Sequence, residues 1–166
     1  MNLYLMRHAE AADLGAEGAT SDADRPLTEK GQGQAQLMGR LLRRLDVKLE
    51  LVLTSPFARA RETADLLIEE YGGHVDILDD ETFVPDGAES DMWATIARTS
   101  RSRVLAVGHL PSIGDLAAAL MGSRAAQPLH FHKASLAALV TDDGHRRPHA
   151  TLEWMVWPSV ARRLLR

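Results

Sequence analysis

Apolar residues come in two rhythms along this chain. Leu3 to Met6 is a short unbroken run that stops at Arg7-His8, which reads as a buried strand delivering polar side chains at its C-terminal end. Ala11 to Pro26, rich in Ala, Gly, Asp and Ser, has no period and reads as a loop. Ala35, Met38, Leu42 and Leu45 then recur at helical spacing. Thr28 is the expected N-cap of that helix, because its hydroxyl can accept a backbone N–H that the first turn leaves unpaired. Leu49 to Leu53 predicts a second strand. Ser55 and Pro56 are expected as N-cap and first position of a helix with the buried stripe Phe57, Ala60, Ala64, Leu67 and Tyr71, ended by Gly72-Gly73.

Further along, His74 to Leu78 predicts a short strand, Asp79 to Asp91 an acidic loop, and Met92, Trp93, Ile96 and Ala97 a helix. Val104 to Val107 is another buried strand, ending at Gly108-His109. Pro111 opens a helix with Ile113, Leu116, Ala117, Leu120 and Met121 on one side, closed by Gly122. After a proline-containing loop, Ala134 to Thr141 and Ala150 to Trp157 read as an antiparallel hairpin around Asp143-Gly144. In its second strand, Leu152, Trp154 and Val156 alternate with Thr151, Glu153 and Met155. Strands alternating with helices predict an α/β three-layer sandwich: a mostly parallel central sheet, helices on both faces, and the antiparallel C-terminal hairpin. With 166 residues and no linker, repeat or low-complexity tract, one domain spanning residues 1–166 is expected.

Composition narrows the function. A net charge of −4 leaves no general basic field to hold a nucleic-acid backbone, and 5% aromatic residues are too few for a base-stacking platform, so no nucleic-acid partner is expected. The absence of cysteine removes thiol catalysis, disulfides and thiolate metal sites together, and fits a reducing compartment. The opening residues MNLYLMRHAE do not read as a secretion signal, and no apolar run approaches the roughly 20 residues that span a bilayer. The chain is therefore expected to be cytoplasmic, with no membrane contact.

Chemistry collects at the strand ends. In open α/β sheets, ligands bind beyond the carboxyl ends of the strands. Here one strand ends in Arg7-His8, the next in Ser55-Pro56 with Arg59 in the turn that follows, and another in Gly108-His109-Leu110-Pro111. Two imidazoles and two guanidiniums converging at one edge would suit an anion, most naturally phosphate, since arginine offers planar forks that match phosphoryl oxygens. Helix N-termini near Thr28, Pro56 and Pro111 would add backbone N–H groups.

Those residues carry a family likeness. Leu5-Met6-Arg7-His8-Ala9, then Ser55-Pro56-Phe57-Ala58-Arg59-Ala60 with Glu62-Thr63-Ala64, then Val107-Gly108-His109-Leu110-Pro111 resemble the histidine phosphatase superfamily, which includes the phosphoglycerate mutases. Within it, the short length and Asp24-Arg25-Pro26-Leu27-Thr28-Glu29-Lys30-Gly31 resemble the SixA-type phosphohistidine phosphatases, over Leu3 to about Trp157. The resemblance implies a hydrolase that works without metal or cofactor through a phosphohistidine intermediate. His8 would be the nucleophile, Arg7 and Arg59 would hold the phosphoryl oxygens, His109 would complete the cradle, and Arg25 would contact substrate. The partner would be a protein carrying phosphohistidine, and the chain is expected to act as a monomer. Turnover of a small phosphomonoester or sugar phosphate, and a non-catalytic phosphohistidine-binding module, are the competing functions.

Two departures from the family pattern stand out. Ala9 occupies a position that is often glycine. Around Phe83-Val84-Pro85-Asp86-Gly87 no carboxylate falls clearly on the family's general-acid position, leaving Glu81, Asp86 and Glu89 as candidates, and no long insertion is available as a lid. Each motif also has a plainer reading. Arg59 could pair with Glu62 on a helix face, His109 could be a cap, and Arg25 could satisfy Asp22 or Asp24. His130 and His132 sit two apart without a third ligand at matching spacing, His145 and His149 flank a turn with Arg146 and Arg147, and Arg162, Arg163 and Arg166 read as a solvated helix face. Gly31-Gln32-Gly33 lies inside the helical pattern and lacks the spacing of a nucleotide loop.

Overall fold

The computed structural model describes residues 1–122, 129–142 and 149–166. Along the chain run β1 (Asn2–Arg7), α1 (Glu29–Arg44), β2 (Leu51–Thr54), α2 (Ala58–Tyr71), β3 (Asp76–Asp79), α3 (Glu89–Arg98), β4 (Arg103–Gly108), α4 (Ser112–Leu120), β5 (Leu136–Thr141), β6 (Ala150–Val156) and α5 (Pro158–Leu164). Short 3₁₀ turns lie at Ala16–Gly18 and Glu81–Phe83. The strands form one sheet in the order β3-β2-β4-β1-β5-β6. β1 to β4 pair in parallel, and β5 and β6 add two antiparallel partners on the side of β1. This is the expected α/β sandwich with its antiparallel hairpin. The turn predicted at Asp143-Gly144, with His145, Arg146 and Arg147, lies outside the described residues.

Two apolar layers sandwich the sheet. On one face Tyr4, Met6, Val52, Leu105 and Val107 pack with Met38 and Leu42 of α1, Ala60, Ala64 and Leu67 of α2, and Ala161 of α5. On the other, Leu3, Leu5, Leu53, Val104 and Ala106 pack with Met92 and Ile96 of α3 and Ile113, Leu116 and Leu120 of α4. Alternate residues of the central strands serve opposite layers, and both layers are apolar, so these strands read as unbroken hydrophobic runs. Among the described residues no helix is long and apolar enough to cross a membrane.

Several local expectations need correction. Thr28 caps α1 as predicted, its hydroxyl accepting from Gly31 N at 3.0 Å, but Leu45 is the residue after the last turn and stands 49% exposed rather than in the core. The helix expected from Ser55-Pro56 begins only at Ala58. The segment read as a strand from Ala134 starts at Leu136, because Ala134 sits at a φ of 57°, in the left-handed region that ends an extended run. In β6 a bulge opposite Ala138 and Leu139 breaks the predicted alternation. Leu152 packs with Met155 on one layer, while Trp154 and Val156 serve the other.

Candidate active site

Three neighbouring strands end together. Arg7 of β1 lies beside Gly108 of β4, and Thr54 of β2 beside Val107. The ladder runs one residue further: His8 N donates to Gly108 O at 2.9 Å and Ser55 N to Val107 O at 3.0 Å. His8, Ser55 and His109 therefore leave the sheet side by side, and the two imidazole rings stand 4.9 Å apart between centroids. Both histidines are buried, at 4% and 2% exposure.

The protonation of His8 follows from its partners. Nδ1 lies 2.7 Å from Ala9 O, and a carbonyl only accepts, so Nδ1 carries the proton. Nε2 then bears the lone pair, which accepts from Arg59 Nε at 3.3 Å. Burial, followed by the positive charges around it, pushes the His8 pKa down to about 2, so the ring is neutral throughout the physiological range. A neutral imidazole with its outward lone pair defined is a competent nucleophile.

Arg59 reaches His8 because it is not on an exposed face. It is 5% exposed, its Nη1 donates to Asp22 O, and its Nη2 donates to an Asp22 carboxylate oxygen at 2.9 Å. Phe57 lies beneath it, the guanidinium carbon 5.1 Å from the ring centroid, and also meets His109 edge-on at 5.3 Å. Phe57 thus serves the site and not the helix stripe predicted for it. Glu62, the plain partner considered for Arg59, instead accepts from Leu27 N at 2.8 Å.

Two buried nitrogens in this cluster have no partner. Arg7 Nη1 donates to Phe131 O at 2.9 Å, but its Nε is buried and unpaired. His109 Nε2 lies 2.9 Å from Ser55 Oγ, while its Nδ1 is buried and unpaired. Burial and then the Arg59 charge lower the His109 pKa to about 3. Buried polar groups are nearly always satisfied, so two orphans beside a nucleophile mark where a ligand's acceptor atoms belong.

The segment from Ala12 to Pro26 folds over this cluster from a narrow neck. Ala12 N donates to Pro26 O at 2.8 Å, Thr28 N to Glu10 O at 3.0 Å, and Ala11 bridges Leu27. Gly31 is required there, since a Cβ would lie 2.0 Å from Glu10 O. Arg25 anchors the segment by donating to Ala12 O at 2.7 Å and to Asp22 Oδ1 at 2.8 Å. It reaches the cluster through Asp22, whose carboxyl is held below its ordinary pKa by hydrogen bonds from Arg25 and then Arg59.

Asp22, the link between Ser55 and His109, and Lys133 were not singled out from sequence as parts of the site. Lys133 lies in the turn before β5, where Ala134 N donates to His8 O at 3.1 Å, and its charge acts on both His8 and His109. Glu81, Asp86 and Glu89 are exposed, and none is bonded to His8, Arg7, Arg59 or His109. His130 and His132 are exposed with their rings 4.4 Å apart, and no group of three His, Asp or Glu among the described residues could hold a metal ion. At the other end of α1, Arg40, Arg43, Arg44, Arg162 and Arg166 line a cleft of about 700 Å³ with Leu37 and Leu165. It is formed by the last turns of α1 and α5, where cations suit the helix dipole.

Residues 3–83 match the family described as histidine phosphatase superfamily, branch 1. The chain is 30% identical over 165 residues to the phosphohistidine phosphatase SixA of Escherichia coli, covering 95% of this chain and 94% of that one. A SixA homolog from Haemophilus influenzae is 33% identical over 152 residues, covering 86% and 89% of the two chains. The structure of the protein histidine phosphatase SixA complexed with tungstate superposes with a TM-score of 0.83 at 28% identity, covering 96% of this chain and 99% of that one.

Proposed function

The chain belongs to the histidine phosphatase superfamily, and on that footing we propose that it is a phosphohistidine phosphatase in which His8 takes the phosphoryl group from a phosphorylated histidine on another protein. The His8 Nε2 lone pair attacks phosphorus while the P–N bond to the substrate breaks. The departing imidazole already carries a proton on its other ring nitrogen and leaves neutral. Water then attacks the phosphoryl group on His8, releases phosphate and returns the neutral ring.

For the first step Arg59 Nε must give up the lone pair and turn to a phosphoryl oxygen. Phosphoryl transfer places charge on three equatorial oxygens and asks chiefly for positioning and charge compensation. Arg7, Arg59 and the free Nδ1 side of His109 supply the donors. The observation that carries this reading is the Nδ1 bond of His8 to Ala9 O, which presents the opposite lone pair among buried, unsatisfied donors. The SixA relatives support the substrate class. Among the described residues the one carboxylate bonded to the cluster, Asp22, is held below its ordinary pKa by Arg25 and Arg59 and is no proton donor at neutral pH. This supports the reading too, because phosphohistidine needs no strong acid to release its leaving group. A chain without cysteine loses nothing in a reducing compartment, which fits a cytoplasmic setting.

The test is to mix the enzyme with a protein carrying radiolabelled phosphohistidine and quench rapidly. Acid-labile label is expected on His8 of the wild type, with none on His8→Ala and no turnover by that variant. Chelator treatment is expected to leave the wild-type rate unchanged. Turnover by His8→Ala near the wild-type rate would refute the mechanism.

A further inference from the structure

We propose that Lys133 is a further substrate-contacting residue, its ammonium taking a phosphoryl oxygen as one more donor in the cradle and setting the alkaline end of the enzyme's activity. This rests on the reading of His8 as the phosphoryl acceptor. The first support is placement. The turn that carries Lys133 is bonded to the end of β1 on both sides of it: Arg7 Nη1 donates to Phe131 O at 2.9 Å, Ala134 N to His8 O at 3.1 Å, and Arg7 N to Ser135 O at 3.2 Å. The Lys133 backbone is thus held against the two residues that begin the site.

The second support is the charge around it. Arg59 is hydrogen-bonded to His8, yet the positive charge that weighs most on His8 is that of Lys133. The charges that act most on Lys133 are those of Arg7 from β1, Arg59 from α2 and Arg25 from the segment before α1, opposed by the Glu10 carboxylate. His8 and His109 feel its charge in turn. Glu10 is already bonded to Lys30 at 2.6 Å and to the Thr28 hydroxyl at 3.3 Å. Lys133 itself forms no hydrogen bond or ion pair among the described residues and is half-buried. An ammonium with only structural duties would extend its flexible stem into water and away from three guanidiniums. Half-buried instead, with no partner among the described residues, it is a donor whose missing counter-charge is a dianion.

Burial and then the neighbouring arginines bring the Lys133 pKa down to about 8. It is charged at pH 7 and neutral by pH 9. Over that interval His8 and His109 are already neutral, the arginines stay charged, and the Glu10 carboxyl, lowered by its bond to Lys30, is ionised. Within the site, Lys133 alone of these groups changes charge there.

The experiment is the pH profile of kcat/KM between pH 6.5 and 10, on an aryl phosphate whose own ionisation is complete below pH 7, with tungstate inhibition followed in parallel. Wild type is expected to decline through about pH 8 to a lower plateau. Lys133→Met is expected to lose that decline, run roughly 100-fold below wild type at pH 7, and bind tungstate more weakly. Lys133→Arg is expected to keep activity to pH 10. A wild type with no decline in this range, or a Lys133→Met enzyme that retains it or matches wild-type activity, overturns the proposal. A His8→Ala control separates the two readings. If that variant is inactive while the decline ignores Lys133, only this inference fails; if it is active, the phosphohistidine reading fails.

Discussion

The Ser55 hydroxyl lies 2.9 Å from His109 Nε2 and also accepts from Phe57 N at 3.2 Å. With an amide already donating to its oxygen and no acceptor other than His109 Nε2 bonded to it among the described residues, the hydroxyl gives its own proton to that nitrogen. Donation to Nε2 places the His109 proton on Nδ1, the buried atom without a protein partner. Ser55→Ala is therefore expected to lower kcat/KM about tenfold, in keeping with one buried hydrogen bond of roughly 1.4 kcal/mol. Ser55→Thr, which retains the hydroxyl, should recover most of the loss. Steady-state kinetics beside a thermal melt checks this. An Ala variant with full activity would mean that His109 finds its tautomer without Ser55.

Asp22 occupies the outer edge of Arg59, with its carboxylate shared between Arg59 and Arg25 at 2.9 and 2.8 Å. A phosphoryl dianion arriving at His8 must compete with that negative charge. Asp22→Asn is expected to tighten inhibition by tungstate or phosphate about threefold to tenfold, as the removal of a partly exposed like charge would. Weaker inhibition in the variant would show that Asp22 serves to aim Arg59 and not to oppose the ligand.

Stability should fall in acid. The folded pKa values of His8 and His109, about 2 and about 3, lie below the 6.5 of a free histidine. Between those limits the unfolded chain binds more protons than the folded one, so unfolding becomes easier as pH drops below 6.5. Each histidine contributes at most about 1.4 kcal/mol per pH unit. The melting temperature is expected to decline from pH 7 to pH 5, less steeply in His8→Ala. Equal slopes in the two proteins would show that His8 is not held neutral by the fold.

The leaving group should govern rate. A positioned acid is worth roughly 100- to 10,000-fold for an ester, and Asp22, the carboxylate bonded to Arg59, is held ionised by Arg25 and Arg59 and supplies none. The expected order of kcat/KM is phosphohistidine, then aryl phosphate, then alkyl phosphate, measured with one enzyme preparation. A sugar or glycerate phosphate turned over best would place Glu81 or Glu89 in the chemistry after all.

What could be read from sequence was the set of strand ends. Arg7-His8 and Gly108-His109 follow unbroken apolar runs, so both their placement and their proximity follow from a parallel sheet. Ser55 was misread because Ser-Pro at a strand end has the pattern of a helix cap. In the fold its hydroxyl is claimed by His109, and the helix begins three residues later. Lys133 and Asp22 lie in stretches with no period, where position is decided by tertiary bonds to β1 and α2. Nor could periodicity anticipate the β6 bulge, since one extra residue exchanges the faces of everything beyond it.

The neck beneath Asp22 and Arg25 has a bearing on how such a protein can be altered. Ala12 and Pro26 are joined by a hydrogen bond, and Glu10 is bonded to Thr28 directly below them. The chain between leaves the body and returns at that point, touching it again where Arg59 and Ala58 N bond to Asp22 and Ala23. Lengthening a loop whose ends are already closed adds little entropic cost, about 0.6 kcal/mol for each doubling. The part of the excursion before Asp22 can thus be swapped, extended or randomised as a cassette, changing which phosphorylated surface fits over His8, provided that Asp22, Ala23 and Arg25 are kept to hold Arg59 and the start of α2.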